Sequence, residues 1–405
     1  MVTHLRLWAG LAAGLAAGLA AGLLAGLPAL AAGGGAEAWA ARLKAPRPLA
    51  VSASFDASGR LWLARVENGQ IWVSRADDGR QFGAAVPVNP EPEAVAADGE
   101  NRPKLAVAAD GTLHVSWTLA LPRAYTGHIR YSRSLDGGRT FSPPITVNDD
   151  PAEISHRFDS LAVDGQRLVL AWLDGRDREA ARRAGRDYAG VGLYYAVSLD
   201  GGATFSANRR FAEHSCECCR VALAWREGQP VALWRHVYPG DQRDFALAEL
   251  GSDQPPLRVS DDAWKLQGCP HHGGALAAGP GGRLHLAWYT QGAVRQGLFY
   301  RWLESGTLGE PVKFGNDDNQ AGHPAVLAIG DRVFLAWREF DGKAYGVWSR
   351  RSPDGGRTWE PSRLILSSET AADYPQLLAR GRQAWLVWNS EREGVRAQPL
   401  PEAGP

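Results

Sequence analysis

The chain has 405 residues, of which 45% are hydrophobic, and it contains 47 glycines, 25 prolines and 16 tryptophans. Its 44 basic and 44 acidic residues leave no formal net charge, which gives no support to a nucleic-acid partner or to a partner with an anionic surface. The many tryptophans, glycines and prolines are typical of short strands joined by tight turns.

The first 33 residues have the pattern of a targeting segment. Arg6 provides a positive start, Leu7–Leu30 is a run of alanine, glycine and leucine, and Ala29-Leu30-Ala31 fits a small-x-small cleavage site. The apolar run is long enough for an uncleaved anchor, but its glycines favour a signal peptide over residues 1–33, cleaved after about Ala31. We therefore expect an exported protein, in a bacterial periplasm or outside the cell, with no stable membrane insertion after cleavage.

A six-residue strand pattern recurs seven times in the rest of the chain, at residues 60–65, 112–117, 167–172, 230–235, 283–288, 332–337 and 383–388. Each copy lies between a preceding apolar strand and a following third strand, and a fourth strand after the next turn brings each unit to four short strands. Radial repetition of such units predicts an all-β fold, a seven-bladed β-propeller in one domain over residues 34–405. The predicted blades cover residues 46–92, 96–150, 155–212, 216–262, 267–316, 320–367 and 371–401.

The last unit stops before a fourth strand. We expect residues near Trp39–Leu43 to supply that strand and close the ring, because closure removes the free sheet edge.

One turn motif recurs after the third strand of several units. Residues 134–141, 198–205 and 352–359 share the pattern Ser-x-Asp-x-Gly-x-Thr-aromatic, and residues 77–82 hold a degenerate copy. The motif resembles the Asp-box (BNR) repeat of the sialidase superfamily of β-propellers. The resemblance implies hairpin turns on the face away from the ligand. Because sialidases have six blades, it also makes a six-bladed propeller the alternative to the count of seven.

The start of each first strand should surround the mouth of a central channel. Aligned across the units, these positions are Arg47, Arg102, Arg157, Cys219, His272, His323 and Tyr374. Packing alone does not require arginines on one side and cysteine, histidine and tyrosine on the other. We therefore expect a small ligand or a metal at the channel mouth.

All four cysteines fall in two equivalent segments of neighbouring units. Cys216-Glu-Cys218-Cys219 aligns column by column with Cys269-Pro-His271-His272, and His323 occupies the same column one unit later. Thiolate and imidazole are the ligands of zinc and of copper. The sequence therefore predicts a copper or zinc site, and no other cofactor, with seven candidate ligands: Cys216, Cys218, Cys219, Cys269, His271, His272 and His323.

Disulfide bonds are the alternative use of these cysteines, since an exported protein with an even number usually pairs them. A bridge within Cys216–Cys219 would be strained if it joined the vicinal pair or residues two apart. One bridge to Cys269 would join two blades and leave two thiols beside the histidines. A structural or redox-active disulfide site therefore remains open, as does a metal site with one disulfide.

The resemblance to sialidases also carries an enzymatic alternative. Arg102-Pro103 is similar to the Arg-Ile-Pro motif of sialidases, and Tyr374-Pro-Gln-Leu377 is similar to the context of their tyrosine nucleophile. The resemblance then implies catalytic roles for Arg102, Arg157 and Tyr374 in an exo-α-sialidase or related glycoside hydrolase. The missing isoleucine, with cysteine and histidine at ring positions, favours a non-enzymatic metal or thiol site. A protein-interaction scaffold is the third possibility.

Overall fold

The structure, a computed structural model, describes residues 48–402. The regular secondary structure of this part of the chain is almost all antiparallel strand, which confirms the predicted all-β class. The first fifteen strands are β1 (Val51–Phe55), β2 (Leu61–Glu67), β3 (Gln70–Ala76), β4 (Val86–Pro87), β5 (Lys104–Val107), β6 (Leu113–Ala120), β7 (Gly127–Ser134), β8 (Ile145–Thr146), β9 (His156–Asp164), β10 (Arg167–Asp174), β11 (Val191–Ser198), β12 (Arg209–Ser215), β13 (Ala222–Arg226), β14 (Gln229–Tyr238) and β15 (Gln242–Glu249).

The remaining strands are β16 (Leu257–Arg258), β17 (Ala275–Ala278), β18 (Leu284–Gln291), β19 (Gln296–Glu304), β20 (Thr307–Leu308), β21 (Val312–Phe314), β22 (Gly322–Ile329), β23 (Arg332–Phe340), β24 (Tyr345–Ser352), β25 (Arg363–Ser368), β26 (Gln376–Arg380), β27 (Gln383–Ser390) and β28 (Gly394–Pro399). The helices of the described part are α1 (Arg176–Arg183) and two 3₁₀ turns, Pro280–Gly282 and Asp317–Asn319.

The sheets are antiparallel meanders that follow the chain. The orders β1-β2-β3-β4, β5-β6-β7-β8, β17-β18-β19-β20 and β22-β23-β24-β25 each use consecutive strands, and β21 pairs with β19. Strands β9 to β16 form one eight-stranded sheet, in which a single pair, Ser215 with His236, joins β12 to β14. Strands β26, β27 and β28 form a three-stranded sheet.

The first strands of successive units contact one another in a closed cycle. Strand β1 contacts β5, β5 contacts β9, and the contacts continue through β13, β17, β22 and β26 back to β1. The residues that begin these strands are therefore brought together around one centre. This cycle positions the candidate site described below.

The predicted leader (1–33) and the predicted closing strand near Trp39–Leu43 lie outside the described residues. Within residues 48–402, no helix has the length and apolar character needed to cross a membrane.

Six tryptophans at equivalent positions of the second strands form the largest buried side chains: Trp117, Trp172, Trp234, Trp288, Trp337 and Trp388. Burying an indole removes roughly 200 Å² from water and stabilises the fold by about 5 kcal/mol before entropy is counted. Most of these indoles also donate to an acceptor, for example Trp172 to Asp174 at 2.9 Å and Trp337 to Glu339 at 2.7 Å. The exception is Trp234, whose indole nitrogen has no partner among the described residues.

The three intact copies of the turn motif share one set of hydrogen bonds. In the second copy, the Gly202 amide donates to Ser198 Oγ at 2.8 Å, and Thr204 donates to Asp200 through its amide and its hydroxyl. Gly202 has a φ of 80°. A Cβ atom at this position would lie 1.8 Å from the Tyr131 hydroxyl, so the turn packs directly on the preceding sheet.

The basic segment after β10 is partly helical. Helix α1 buries Ala181, and Asp177 in its first turn accepts a hydrogen bond from Tyr194 at 3.0 Å. Acidic residues in the first turn and arginines in the last turn match the helix dipole, which explains why so charged a segment forms a helix.

Candidate metal centre and channel mouth

Backbone pairing holds the cysteine loop where two units meet. Strand β12 ends at Ser215, which pairs with His236, and the Cys216 amide then donates to the Arg235 carbonyl at 2.9 Å. The chain turns through residues 216–219 before β13 begins at Ala222. The loop is therefore fixed at both ends by β14.

Three thiols converge in this loop. The Cys216 sulfur lies 3.1 Å from the Cys219 sulfur and 4.0 Å from the Cys218 sulfur, and all three side chains are buried. Together they form a group whose sulfur atoms all lie within 4.8 Å of one another, here called the inner triad. The closest pair, Cys216 and Cys219, has Cys-x-x-Cys spacing. This spacing lies within one segment, so the alignment of that segment with residues 269–272 did not bring it out.

A second group lies beside the first and shares Cys218 with it. The donor atoms of Cys218, Cys269 and His271 also lie within 4.8 Å of one another, and we call this group the outer triad. Cys269 and His271 are exposed, on the segment that precedes β17. All four cysteines are free thiols, so the bridge to Cys269 considered from the sequence is not formed.

Among the three buried thiols, the surroundings of Cys216 favour the thiolate most strongly. Hydrogen bonds from the Cys218 and Cys219 thiols, together with the positive charge of Arg235, hold the pKa of Cys216 well below its usual range. The Arg243 guanidinium lies 3.4 Å from the same sulfur. Donating to Cys216 raises the pKa of Cys218, and burial is the main cause of the raised pKa of Cys219. These neighbours therefore favour deprotonation of Cys216 over that of Cys218 or Cys219.

The inner triad is close to the dimensions of a metal site. Thiolates around a zinc ion, with bonds of about 2.3 Å, are separated by roughly 3.8 Å. The Cys216–Cys218 separation of 4.0 Å already matches, and the Cys216–Cys219 separation of 3.1 Å needs to open by less than about 1 Å. The donor set is soft, which suits copper(I) or zinc.

The other two predicted ligands lie in a different group. His272 stacks between Tyr289 at 4.1 Å and His323 at 4.3 Å, and His323 stacks on Tyr374 at 3.5 Å, measured between ring centroids. These four rings form a continuous column. The seven residues predicted as one site are therefore divided between the thiol triads and this ring column.

Glu100 organises one side of the ring column, although no sequence motif pointed to it. Its carboxylate accepts from the Gly273 amide at 2.8 Å, lies 3.3 Å from His323 Nδ1 and pairs with Arg220 at 3.7 Å. Burial alone would raise the pKa of Glu100, but the Arg220 charge and the His323 hydrogen bond outweigh it and hold the pKa well below its usual range. Because Arg220 directly follows Cys219, this ion pair links the cysteine loop to the ring column.

The candidates of the enzymatic alternative also lie around this centre. Arg102 donates two hydrogen bonds of 2.6 Å to Asp373, so its guanidinium is already paired with a carboxylate of the protein itself. Tyr374 lies between His323 and two guanidiniums, that of Arg338 at 4.8 Å and that of Arg102 at 5.5 Å from its ring centroid.

Arg157 pairs with Asp98 at 3.4 Å, and its guanidinium lies 5.8 Å from the centroid of the Tyr125 ring.

Comparison with known proteins identifies the fold. No protein-family model matches the chain, and no curated protein sequence matches it. Among solved structures, a polysaccharide lyase of family PL25, an ulvan lyase, is 11% identical with a TM-score of 0.54, covering 89% of this chain and 94% of that chain.

Two further structures are similar. The polysaccharide lyase Uly1 is 11% identical with a TM-score of 0.51, covering 88% of this chain and 91% of that chain. The Penicillium chrysogenum α-L-arabinanase is 13% identical with a TM-score of 0.50, covering 72% of this chain and 89% of that chain. At such identities the likeness concerns the fold, which is that of β-propeller enzymes acting on glycosides.

Proposed function

We propose that this protein is an exported, seven-bladed, sialidase-like Asp-box β-propeller that binds copper or zinc through its cysteine loop and handles that metal in the cell envelope. The observation that carries the proposal is the convergence of Cys216, Cys218 and Cys219, with Cys269 and His271 adjoining Cys218. The closed cycle of first-strand contacts and the repeated turn hydrogen bonds support the blade count and the Asp-box assignment.

Metal binding explains the loop better than packing does. A buried cysteine in an apolar core behaves as a small hydrophobe and needs no charged neighbour. Here a guanidinium, that of Arg243, lies next to the Cys216 sulfur, and Cys218 adjoins the exposed Cys269. A positive charge beside clustered thiols stabilises the deprotonated form that coordinates a metal.

The test is titration of the reduced protein with copper(I) and, separately, with zinc. We compare the wild type with the double variant Cys218→Ser/Cys219→Ser. Glu217→Gln is the matched control, because it changes a polar side chain of the same loop outside both triads. We expect stoichiometric binding by the wild type and the control, and at least about 100-fold weaker binding by the double variant. Equal binding by all three proteins would refute a metal site in this loop.

Thiol redox chemistry is the other use of the same residues. The Cys216 and Cys219 sulfurs, 3.1 Å apart, would need to approach by about 1 Å to form a disulfide of about 2.05 Å. A count of free thiols in the protein purified without reductant separates the two cases. Metal bound to the purified protein, with four titratable thiols after the metal is removed, supports the metal site, whereas two or four blocked thiols without metal support the redox site.

Glycoside processing at the channel mouth is the second candidate function. It is favoured by the position of Tyr374 between His323 and two guanidiniums, and by the fold shared with lyases and an arabinanase. The ion pair between Arg102 and Asp373 counts against a role for Arg102 in binding a substrate carboxylate. Assays with sialosides, other aryl glycosides and uronate-containing polysaccharides test this candidate. If the wild type cleaves none of them, or if Tyr374→Phe retains full activity, the candidate fails.

A further inference from the structure

The two triads differ in their access to solvent. Cys216, Cys218 and Cys219 are buried, whereas Cys269 and His271 are exposed. Cys218 belongs to both groups, and its sulfur is therefore in reach of a metal held on either side. A metal arriving from solvent meets Cys269 and His271 before it meets the inner triad.

We propose that the loop binds two copper(I) ions, one in each triad, with the Cys218 thiolate bridging them, and that copper enters through the outer triad. This inference rests on the proposed metal-binding function and specifies its metal and stoichiometry. The bridging position follows from the geometry, since Cys218 is the only residue common to the two groups of donor atoms identified in residues 48–402.

Copper(I) fits these donor groups better than zinc. Each triad offers three donors, and copper(I) is satisfied by two or three soft ligands, whereas structural zinc is almost always four-coordinate. The nearest carboxylate in the loop, Glu217, already pairs with Arg243 at 3.3 Å and with Arg178 at 3.9 Å. The loop thus offers thiolates and one imidazole, without a free hard ligand to complete a zinc site.

Transfer from the outer to the inner triad would be a ligand exchange without oxidation or reduction. The copper ion keeps its bond to Cys218 throughout. Its bonds to Cys269 and His271 break as bonds to Cys216 and Cys219 form. The Cys219 thiol releases one proton as it binds, and the Cys269 thiolate takes up one proton as it is released, so charge and protons balance. The outer triad is then ready to accept a second ion.

Anaerobic titration with copper(I), in competition with a chromophoric copper(I) chelator, tests the proposal. We expect two ions for each wild-type chain and for Glu217→Gln. We expect one ion for Cys269→Ser/His271→Ala, which keeps the inner triad, and one for Cys216→Ser/Cys219→Ser, which keeps the outer triad. Cys218→Ser should bind both ions at least about tenfold more weakly, because it removes a ligand from each triad.

X-ray absorption of the copper-loaded wild type gives a readout that does not depend on any variant. A short copper–copper distance, with mainly sulfur neighbours, is expected for the bridged pair. One copper per wild-type chain, or two without that distance, would overturn the two-ion site and leave the proposed function standing. The absence of any copper or zinc binding would instead remove the proposed function itself.

Discussion

Arg102 and Asp373 form a buried, two-pronged ion pair across 271 residues of sequence, with both hydrogen bonds at 2.6 Å. Asp373 also accepts from the Val51 amide at 3.1 Å, and Arg102 donates to the Val51 carbonyl at 3.0 Å. The pair therefore connects the last unit of the chain to the first two units. The pair gives Arg102 a structural role, whereas the substrate-binding role that the sequence resemblance implied stays a prediction.

Removal of Asp373 should destabilise the fold strongly. We expect Asp373→Ala to lower the free energy of unfolding by about 3–5 kcal/mol, because it leaves the Arg102 charge buried without its partner. Asp98→Ala is the matched control, since Asp98 is an exposed carboxylate paired with Arg157 at 3.4 Å, and its loss should cost less than about 1 kcal/mol. Urea unfolding of both variants measures the difference, and equal effects would contradict a closing role for the pair.

The buried carboxylate of Glu100 should make stability depend on pH on the acidic side. Its pKa in the folded protein is below the ordinary value of 4.5, so the folded state binds fewer protons than the unfolded chain. The stabilisation is therefore fully present above about pH 4.5 and is lost as the pH falls below that value.

Glu100→Gln removes this contribution. The difference in the free energy of unfolding between the wild type and Glu100→Gln should be largest near neutral pH and should shrink below about pH 4. Urea titrations over this range check the slope. A difference that stays constant down to about pH 3 would show that the carboxylate charge does not stabilise the fold.

Substitution of two glycines in the repeated turns allows the energetic cost of backbone strain to be measured apart from the cost of steric overlap. Gly202 and Gly137 both have positive φ, but a Cβ at Gly202 would strike the Tyr131 hydroxyl, whereas none of the described atoms lies within 4 Å at Gly137. We expect Gly137→Ala to cost about 1–2 kcal/mol from the left-handed backbone alone. Gly202→Ala should cost about 3 kcal/mol or more, since overpacking adds to that strain. Thermal unfolding compares them, and equal losses would mean that the turn does not press on the preceding sheet.

Cys269 should be the first thiol to react with a small alkylating reagent. It is exposed, and its interaction with the adjoining Cys218 side chain lowers its pKa, while the other three thiols are buried. Peptide mass spectrometry after brief iodoacetamide treatment should find Cys269 labelled first in the metal-free protein and protected when copper(I) is bound. Equal labelling of Cys269 with and without copper(I) would mean that Cys269 is not a ligand of the ion. Glu217→Gln provides a control with an unchanged set of cysteines.

Local patterns predicted the strands well, because apolar alternation and turn residues act over a few positions. The six buried tryptophans, for instance, mark the second strands directly. The cysteine loop was also predicted, but its division of ligands was not. His271 has a φ of 53° and is exposed, while the next residue, His272, turns into the ring column, so adjacent histidines serve different groups.

Contacts between distant units could not be predicted in the same way. Glu100 reaches Gly273 and His323 across 173 and 223 residues of sequence, respectively. Such partners depend on how the units are arranged around the centre, which no short pattern encodes. The same reason explains why Asp373 was not recognised as the partner of Arg102.

The connection between the two ends of the described chain also has a kinetic consequence. The Ala53 amide donates to the Gln376 side chain, and that side chain donates to the Val51 carbonyl, across 323 and 325 residues. Contacts this far apart in sequence carry a large loop-closure entropy and form slowly. The individual sheets can collapse early from local hairpins, but the ring closes only when the last unit meets the first. Refolding should therefore end in one slow phase, and the open-ring species that precedes it is the state most exposed to aggregation.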